Sequence, residues 1–341
     1  MGPVLKKRLG LVARLGLVAI IFAVISRKID FEHLRADLRT MSVLPVFAAL
    51  ALFLLNRVLT AVKWQLLLRD RGITTKLPRL IHITFVTMFA GTLIPSGFGQ
   101  DILRFLQVGR EEGDMAGAAG SVIADRMLGI LALSVLSGGA AIFAWPLLTD
   151  HTPLIWVFVL AVALTAMLLG LTSGTAFRLY ESMHVRVFAL LGRFSFMDGA
   201  KMREWPERIR GKLALVHASQ GEVLRNPSLF ARVFTWNMAV QILRVAQIHC
   251  LFVAMHADPP VPVMMELAFV PMIILLTMLP VTPFMGIGVK EGAFVYLFGM
   301  VGVPAEISLS TSLLSHIVEL TGIAFGAVLF FLEGVGDSRC D

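Results

Sequence analysis

Apolar residues gather along this chain in runs too long and too uniform for a water-soluble domain. They fall at about 9–26, 42–62, 80–95, 118–145, 153–172, 229–255, 262–283 and 306–332. A helix needs about 20 mainly apolar residues to cross the hydrocarbon core, whereas a membrane barrel shows segments of about ten residues with alternating polarity. The pattern therefore predicts an all-α, polytopic helical membrane protein.

Eight segments do not require eight crossings. The third and seventh are each followed by a glycine-broken turn and a second short apolar stretch, 102–108 and 293–301. Irregular backbone at membrane depth survives only inside protein or beside a wet cavity, as in a re-entrant hairpin. Six crossings plus two re-entrant helical hairpins, near 80–109 and 262–302, are expected.

Charge supports this count. Residues 56–79 hold Arg57, Lys63, Arg69, Arg71, Lys76 and Arg79 against Asp70 alone, and residues 173–228 hold nine Lys or Arg against five acids. Positive loops stay cytoplasmic, and the connections 146–152 and 256–262 carry no Lys or Arg. Reading the third segment as a hairpin places all of these loops correctly; Arg27, Lys28, Arg35 and Arg39 are the misfit. The N-terminus and the basic loop 173–228 are expected in the cytoplasm, and the chain in the inner, cytoplasmic membrane.

Two halves follow, 1–146 and 147–341, each with three crossings and a hairpin. An odd number of crossings makes them an inverted pair, a design that recurs in transporters. Ser96-Gly97-Phe98-Gly99-Gln100-Asp101 echoes Met285-Gly286-Ile287-Gly288-Val289-Lys290-Glu291, and Asn56 with Arg57 precedes the first as Asn237 with Arg244 precedes the second.

Composition narrows the classes. With 57% hydrophobic and 16% charged residues, a soluble enzyme is excluded. The net charge of +7 sits beside apolar spans, where it orients helices and attracts acidic head groups, so nucleic acid is not expected. The first segment follows Lys6, Lys7 and Arg8 but lacks a small-residue cleavage site, so it is read as a retained helix rather than a signal peptide. Cys250 and Cys340 support neither a disulfide framework nor a metal site, and no cofactor is expected.

Charges and glycines inside these segments are the candidate chemistry. Gly97 and Gly99 let backbone amides face a cavity, and Asp101 with Arg104 follows at a helix start, a ready site for phosphate. Asp125 and Arg126 lie within an apolar stretch where each charge costs at least about 2.5 kcal/mol unpaired, so each needs a partner on another helix or a wet cavity. Gly286, Gly288 and Glu291 mark the second hairpin, His316 and Glu319 share a face of the last segment, and Asn237, Gln241, Arg244 and Gln247 lie on the sixth. These could line a pocket in which Arg holds an anionic head group and carboxylates meet a cation or proton. The blander readings are a surface Pro-Gly turn, a packing lock by Asp125 and Arg126, and a core histidine at 316. Aromatics interleave the bases of 173–228, fitting either an interfacial helix on anionic lipid or an ordinary positive loop.

Taken in order, Lys63-Trp64 with Leu66 to Leu68, Pro95-Ser96 through Gly99, Asp101 and Arg104, Asp125-Arg126, and Pro283 through Gly286, Gly288 and Glu291 resemble a known family. It is the flippase-like transmembrane family typified by the membrane domain of lysylphosphatidylglycerol synthases, and the resemblance covers nearly the whole chain. Gln100 stands where that pattern usually has a glycine, and His316 near where it often has an arginine. The resemblance implies flipping or export of an anionic or aminoacylated phospholipid, or of a polyprenyl or hopanoid lipid. No aminoacyl-transferase-like stretch follows Glu333, so lipid handling without enzymatic activity is expected. The alternative is a non-transporting accessory protein that binds a lipid or a glycosyltransferase or synthase partner. An intramembrane enzyme using Ser96 with His316, or His316 with Glu319 at a metal, lacks a supporting motif, and no ATP-binding loop is present.

Overall fold

A computed structural model describes residues 40–92, 98–143, 226–278 and 288–337, all of whose regular structure is helical. In chain order the helices are α1 (Val43–Asp70), α2 (Leu77–Thr92), α3 (Gly99–Glu112), α4 (Met115–Phe143), α5 (Pro227–Ala254), α6 (Val263–Thr277), α7 (Val289–Gly299) and α8 (Ala305–Asp337). Val43–Asp70, Met115–Ile142, Pro227–Ala254 and Ala305–Leu332 are long and apolar enough to cross a membrane. At 28 residues, each measures about 42 Å against a core of about 30 Å.

Every apolar segment within the described residues is a helix, though the bounds differ. The run read as 42–62 continues to Asp70, because the polar turns after Arg57 are covered rather than solvated: Lys63, Trp64 and Gln65 are buried. Arg57 and Lys63 are thus helix residues, not loop charges. The segments 9–26 and 153–172, the N-terminus and nearly all of the loop 173–228 lie outside the described residues, as do Gly97 and Gly286.

Helices α2 and α3 form an antiparallel hairpin. Its base is fixed by Arg79 to Glu111 (2.6 Å) and Thr75 to Glu112 (2.5 Å). At its tip the helices nearly touch: a Cβ on Gly91 would stand 2.7 Å from the backbone nitrogen of Gln100. Helices of 16 and 14 residues reach about 24 and 21 Å, less than a full crossing. Helices α6 and α7 make the second hairpin, packed on α5 through Phe252, Phe269, Phe294 and Phe298. A matching cluster of Trp64, Leu68, Ile83, Val108 and Val122 binds α1 to α4 around the first.

The two sets of four helices repeat one plan. Helix α1 packs along α5; α4 packs on α6 as α8 packs on α2; α3 packs on α4 as α7 packs on α8. Exchanging α1–α4 for α5–α8 leaves these pairings unchanged. The sets run in opposite directions, since Ser42 N–H donates to the Ala254 carbonyl at one end of the seam while Lys63 meets Asn237 further along it. Left-handed glycines turn the chain from α3 into α4 and from α7 toward α8: Gly113 has φ 74° and Gly302 φ 85°, a conformation that penalises any Cβ.

Glycine also sets the approach of α8. A Cβ on Gly322 would sit 2.5 Å from the Phe53 ring, and one on Gly326 would run into the Phe85 carbonyl. Small residues of this kind let membrane helices come within backbone contact.

Candidate functional site

The first cluster of charges forms where α1, α3, α4 and α5 meet. Asp125 lies 2.8 Å from Lys63 Nζ and 3.6 Å from Arg104 Nη1. Asp101, in the first turn of α3, pairs with Arg126 on α4 and stands 3.9 Å from Arg104. Lys63 also donates to Asn237 Oδ1 at 2.7 Å, across the seam from α5. Asp125 and Arg126 thus each find partners on other helices, as their cost in an apolar stretch demands. Adjacent on α4, they point to different neighbours.

Aromatic faces complete this cluster. The guanidinium of Arg104 lies over the Trp64 ring (4.1 Å) and that of Arg126 over Phe98 (4.4 Å). Trp64 is itself pinned by donation from Nε1 to Ser121 Oγ at 3.0 Å. Arg104 is 4% exposed, yet its Nε and Nη2 have no hydrogen-bond partner among the described residues. A buried guanidinium normally satisfies its donors. Here two donors remain open at a site already rich in cations.

The second cluster joins α7 to α8. Glu291, 1% exposed, accepts the Gly288 N–H at 2.6 Å and faces His316 Nε2 at 2.9 Å. Glu319 takes the Lys290 ammonium at 3.0 Å and lies 3.7 Å from His316 Nδ1. The imidazole therefore stands between two carboxylates. Gly288, at φ 86°, caps α7 through the Glu291 contact.

The clusters are the same contact made twice. Glu291 stands 190 residues after Asp101, and His316 the same 190 after Arg126. Each acid opens the second arm of a hairpin, each base lies eleven residues into the following long helix, and they pair in the same register. On the seam the correspondence continues, because Lys63 follows Asn56 by seven residues as Arg244 follows Asn237. Both asparagines donate to carbonyls of α5, Asn56 to Val240 (2.7 Å) and Asn237 to Val233 (3.0 Å).

Between the clusters, mid-way along the seam, lie Arg57 and Arg244. Neither forms an ion pair among the described residues; Arg57 donates to Asn56 Oδ1 at 3.0 Å and covers the Phe53 ring, and Arg244 touches Gln241 at 3.4 Å. Arg57 feels the like charge of Arg244, and carboxylates oppose it on both: Glu319 acts on each, and Asp125 on Arg244 as well.

Of the residues singled out in the sequence, the structure brings Asp101, Arg104, Asp125, Arg126 and Asn237 into the first cluster and Gly288, Glu291, His316 and Glu319 into the second. Gly99 is the buried first residue of α3, and Arg244 lies between the clusters. Asn237 joins the first cluster rather than a pocket confined to the second half. Sequence reasoning passed over Lys63 and Arg57 as loop charges and Trp64 as a site residue, while it set Lys290 beside Glu291 on the second hairpin; the seven-residue interval from Asn56 to Lys63 was the available signal. It also passed over His249 on α5, whose Nδ1 contacts both oxygens of the fully buried Glu266 at 3.0 and 3.1 Å.

Residues 11–326 match the lysylphosphatidylglycerol synthase TM region family. A UPF0104 membrane protein of Methanothermobacter thermautotrophicus is 23% identical over 284 residues, covering 81% of this chain and 80% of that protein. No solved structure matches. The chain belongs to the lysylphosphatidylglycerol synthase TM region family, which makes it a membrane protein with a role related to membrane lipid.

Proposed function

We propose that this member of the lysylphosphatidylglycerol synthase TM region family is a flippase that carries an anionic lipid head group across the bilayer between its two inverted halves. One observation supports the reading: among the described residues, cations outnumber carboxylates where the long apolar helices pack together. Six cationic side chains, Arg57, Lys63, Arg104, Arg126, Arg244 and Lys290, face four carboxylates, Asp101, Asp125, Glu291 and Glu319. Each uncompensated charge near the bilayer centre costs at least about 2.5 kcal/mol, so the surplus calls for an anion. Guanidinium forks pair bidentately with phosphate, the charge that anionic phospholipids share.

The repeat supplies a route. Asp101–Arg126 fastens the first hairpin to α4, Glu291–His316 fastens the second to α8, and Arg57 with Arg244 occupies the seam between. A head group released from one hairpin meets the seam arginines and then the other hairpin, while its acyl chains stay in lipid. In this reading the hairpins re-enter the membrane, the basic loops face the cytoplasm and no chemical bond is made or broken.

Reconstitution into vesicles of phosphatidylcholine with fluorescent phosphatidylglycerol tests it. The protein is expected to speed transbilayer movement of phosphatidylglycerol, and Arg57→Gln with Arg244→Gln to abolish the gain. Unchanged movement of every lipid class would overturn it. Retention of anionic lipid without movement would favour the non-transporting accessory reading instead.

A further inference from the structure

The second cluster differs from the first at the residue that decides when it is charged. Arg126 is a cation at every physiological pH, whereas histidine changes charge between about pH 5 and 8. The two stand in the same place of the repeated contact, 190 residues apart. We propose that His316 is a proton-binding gate: protonated, it tightens the α6–α7 hairpin against α8, and deprotonated, it loosens that hairpin while the Asp101–Arg126 clip stays closed. The proposal deepens the flippase reading by naming the ion that drives or times it, and in that respect rests on it.

Two carboxylates flank the imidazole. Glu291 Oε1 approaches Nε2 at 2.9 Å and Glu319 Oε2 approaches Nδ1 at 3.7 Å. The imidazolium places a positive charge between these two carboxylates; the neutral ring keeps one N–H and loses the charge that attracts both. Glu291 is 1% exposed, so it cannot turn to water in compensation. His316 keeps 20% of its side chain accessible.

Other groups facing this site do not replace the histidine. From α7, Lys290 is engaged by Glu319 at 3.0 Å. Arg57 on α1 and Arg244 on α5 lie in the field of Glu319, while Lys290 is the cation that opposes a positive charge on His316. Helix α2 meets α8 with Phe85, Met88 and Phe89, while its own Arg79 and His82 contact each other and Arg79 reaches Glu111. Lys290–Glu319 persists when His316 loses its proton, so the hairpin is loosened and not detached.

Two measurements test the gate. In vesicles of phosphatidylcholine and phosphatidylglycerol, movement of labelled phosphatidylglycerol should rise severalfold from about pH 5.5 to about pH 8, as the imidazolium is lost. His316→Arg should be slow and His316→Gln fast, each at both pH values. A pH response that survives in His316→Arg overturns the proposal. Independently, spin labels at Tyr296→Cys on α7 and Val328→Cys on α8, both exposed positions, report the hairpin directly in a background with Cys250 and Cys340 replaced by serine. Their distance distribution should change with pH in the wild-type sequence and not in His316→Arg. A distribution that ignores pH overturns the gate. If no lipid moves at any pH, the flippase reading fails while the spin-label titration still decides the gate.

Discussion

Removing the Asp125 carboxylate should cost this protein far more than removing a surface charge. The first cluster holds Lys63, Arg104 and Arg126 against Asp101 and Asp125, a balance of one positive charge. Asp125→Asn makes it two and leaves Lys63, 7% exposed in its side chain, and Arg104, at 5%, without their nearest carboxylate. Breaking a buried pair by deleting one partner costs about 3–5 kcal/mol, because the surviving charge keeps its desolvation. At on the order of 2 °C per kcal/mol for a chain of this size, thermal unfolding in detergent should fall by roughly 6–10 °C. A double-mutant cycle isolates the cause. Lys63→Met removes the closest cation, so Lys63→Met with Asp125→Asn should be less damaged than the two single losses added together. Additive losses, or a melting point of Asp125→Asn within about 1 °C of the parent, would refute the claim that this cluster is a compensated charge network.

Further outcomes follow from the same geometry. Arg57→Gln and Arg244→Gln should each reduce the anionic phospholipid that co-purifies, measured by mass spectrometry, while leaving thermal stability nearly unchanged, since neither arginine holds a carboxylate. Gly326→Val should destabilise the protein by about 1–3 kcal/mol, because the new side chain strikes the Phe85 carbonyl and forces α8 off α2; melting in detergent reads this. Gly91→Leu should open the first hairpin at its tip, detected as faster labelling of a cysteine placed at Gln100. Trp64→Phe removes the bond to Ser121 and weakens the stacked Arg104, a loss of about 1–2 kcal/mol by the same melting assay.

The helical segments were legible because hydropathy reports long apolar surfaces, while the glycine- and proline-rich breaks at 93–97 and 279–287 lie outside the described residues. The partners were less legible. Lys63 read as a loop charge since hydropathy ends a segment at its first polar turn, while α1 continues where Trp64, Leu67 and Leu68 bury against other helices. Asp125 and Arg126 announced a need for partners but not their identity, because the partners come from α1 and α3, 62 and 25 residues away. The repeat was visible in its glycines and hidden in its charges: equivalent places hold Asp101 and Glu291, or Arg126 and His316, and Asp125 has Ser315 as its counterpart. Only the shared pairing register reveals the equivalence.

That register also speaks to descent and assembly. A constant offset of 190 from Asp101 through Arg126 is what a tandem gene duplication leaves when neither copy gains or loses residues over the stretch. From Asn56 to Lys63 the offset is 181, so the nine-residue difference accumulated between the seam helix and the hairpin's second arm, in connections where length changes are tolerated. If the two sets of helices descend from one ancestor, the α1–α5 seam, with asparagines bonded across and along it, is where two such copies would have met, and residues 1–146 and 147–341 made as two separate polypeptides should then associate along it in a pull-down from detergent.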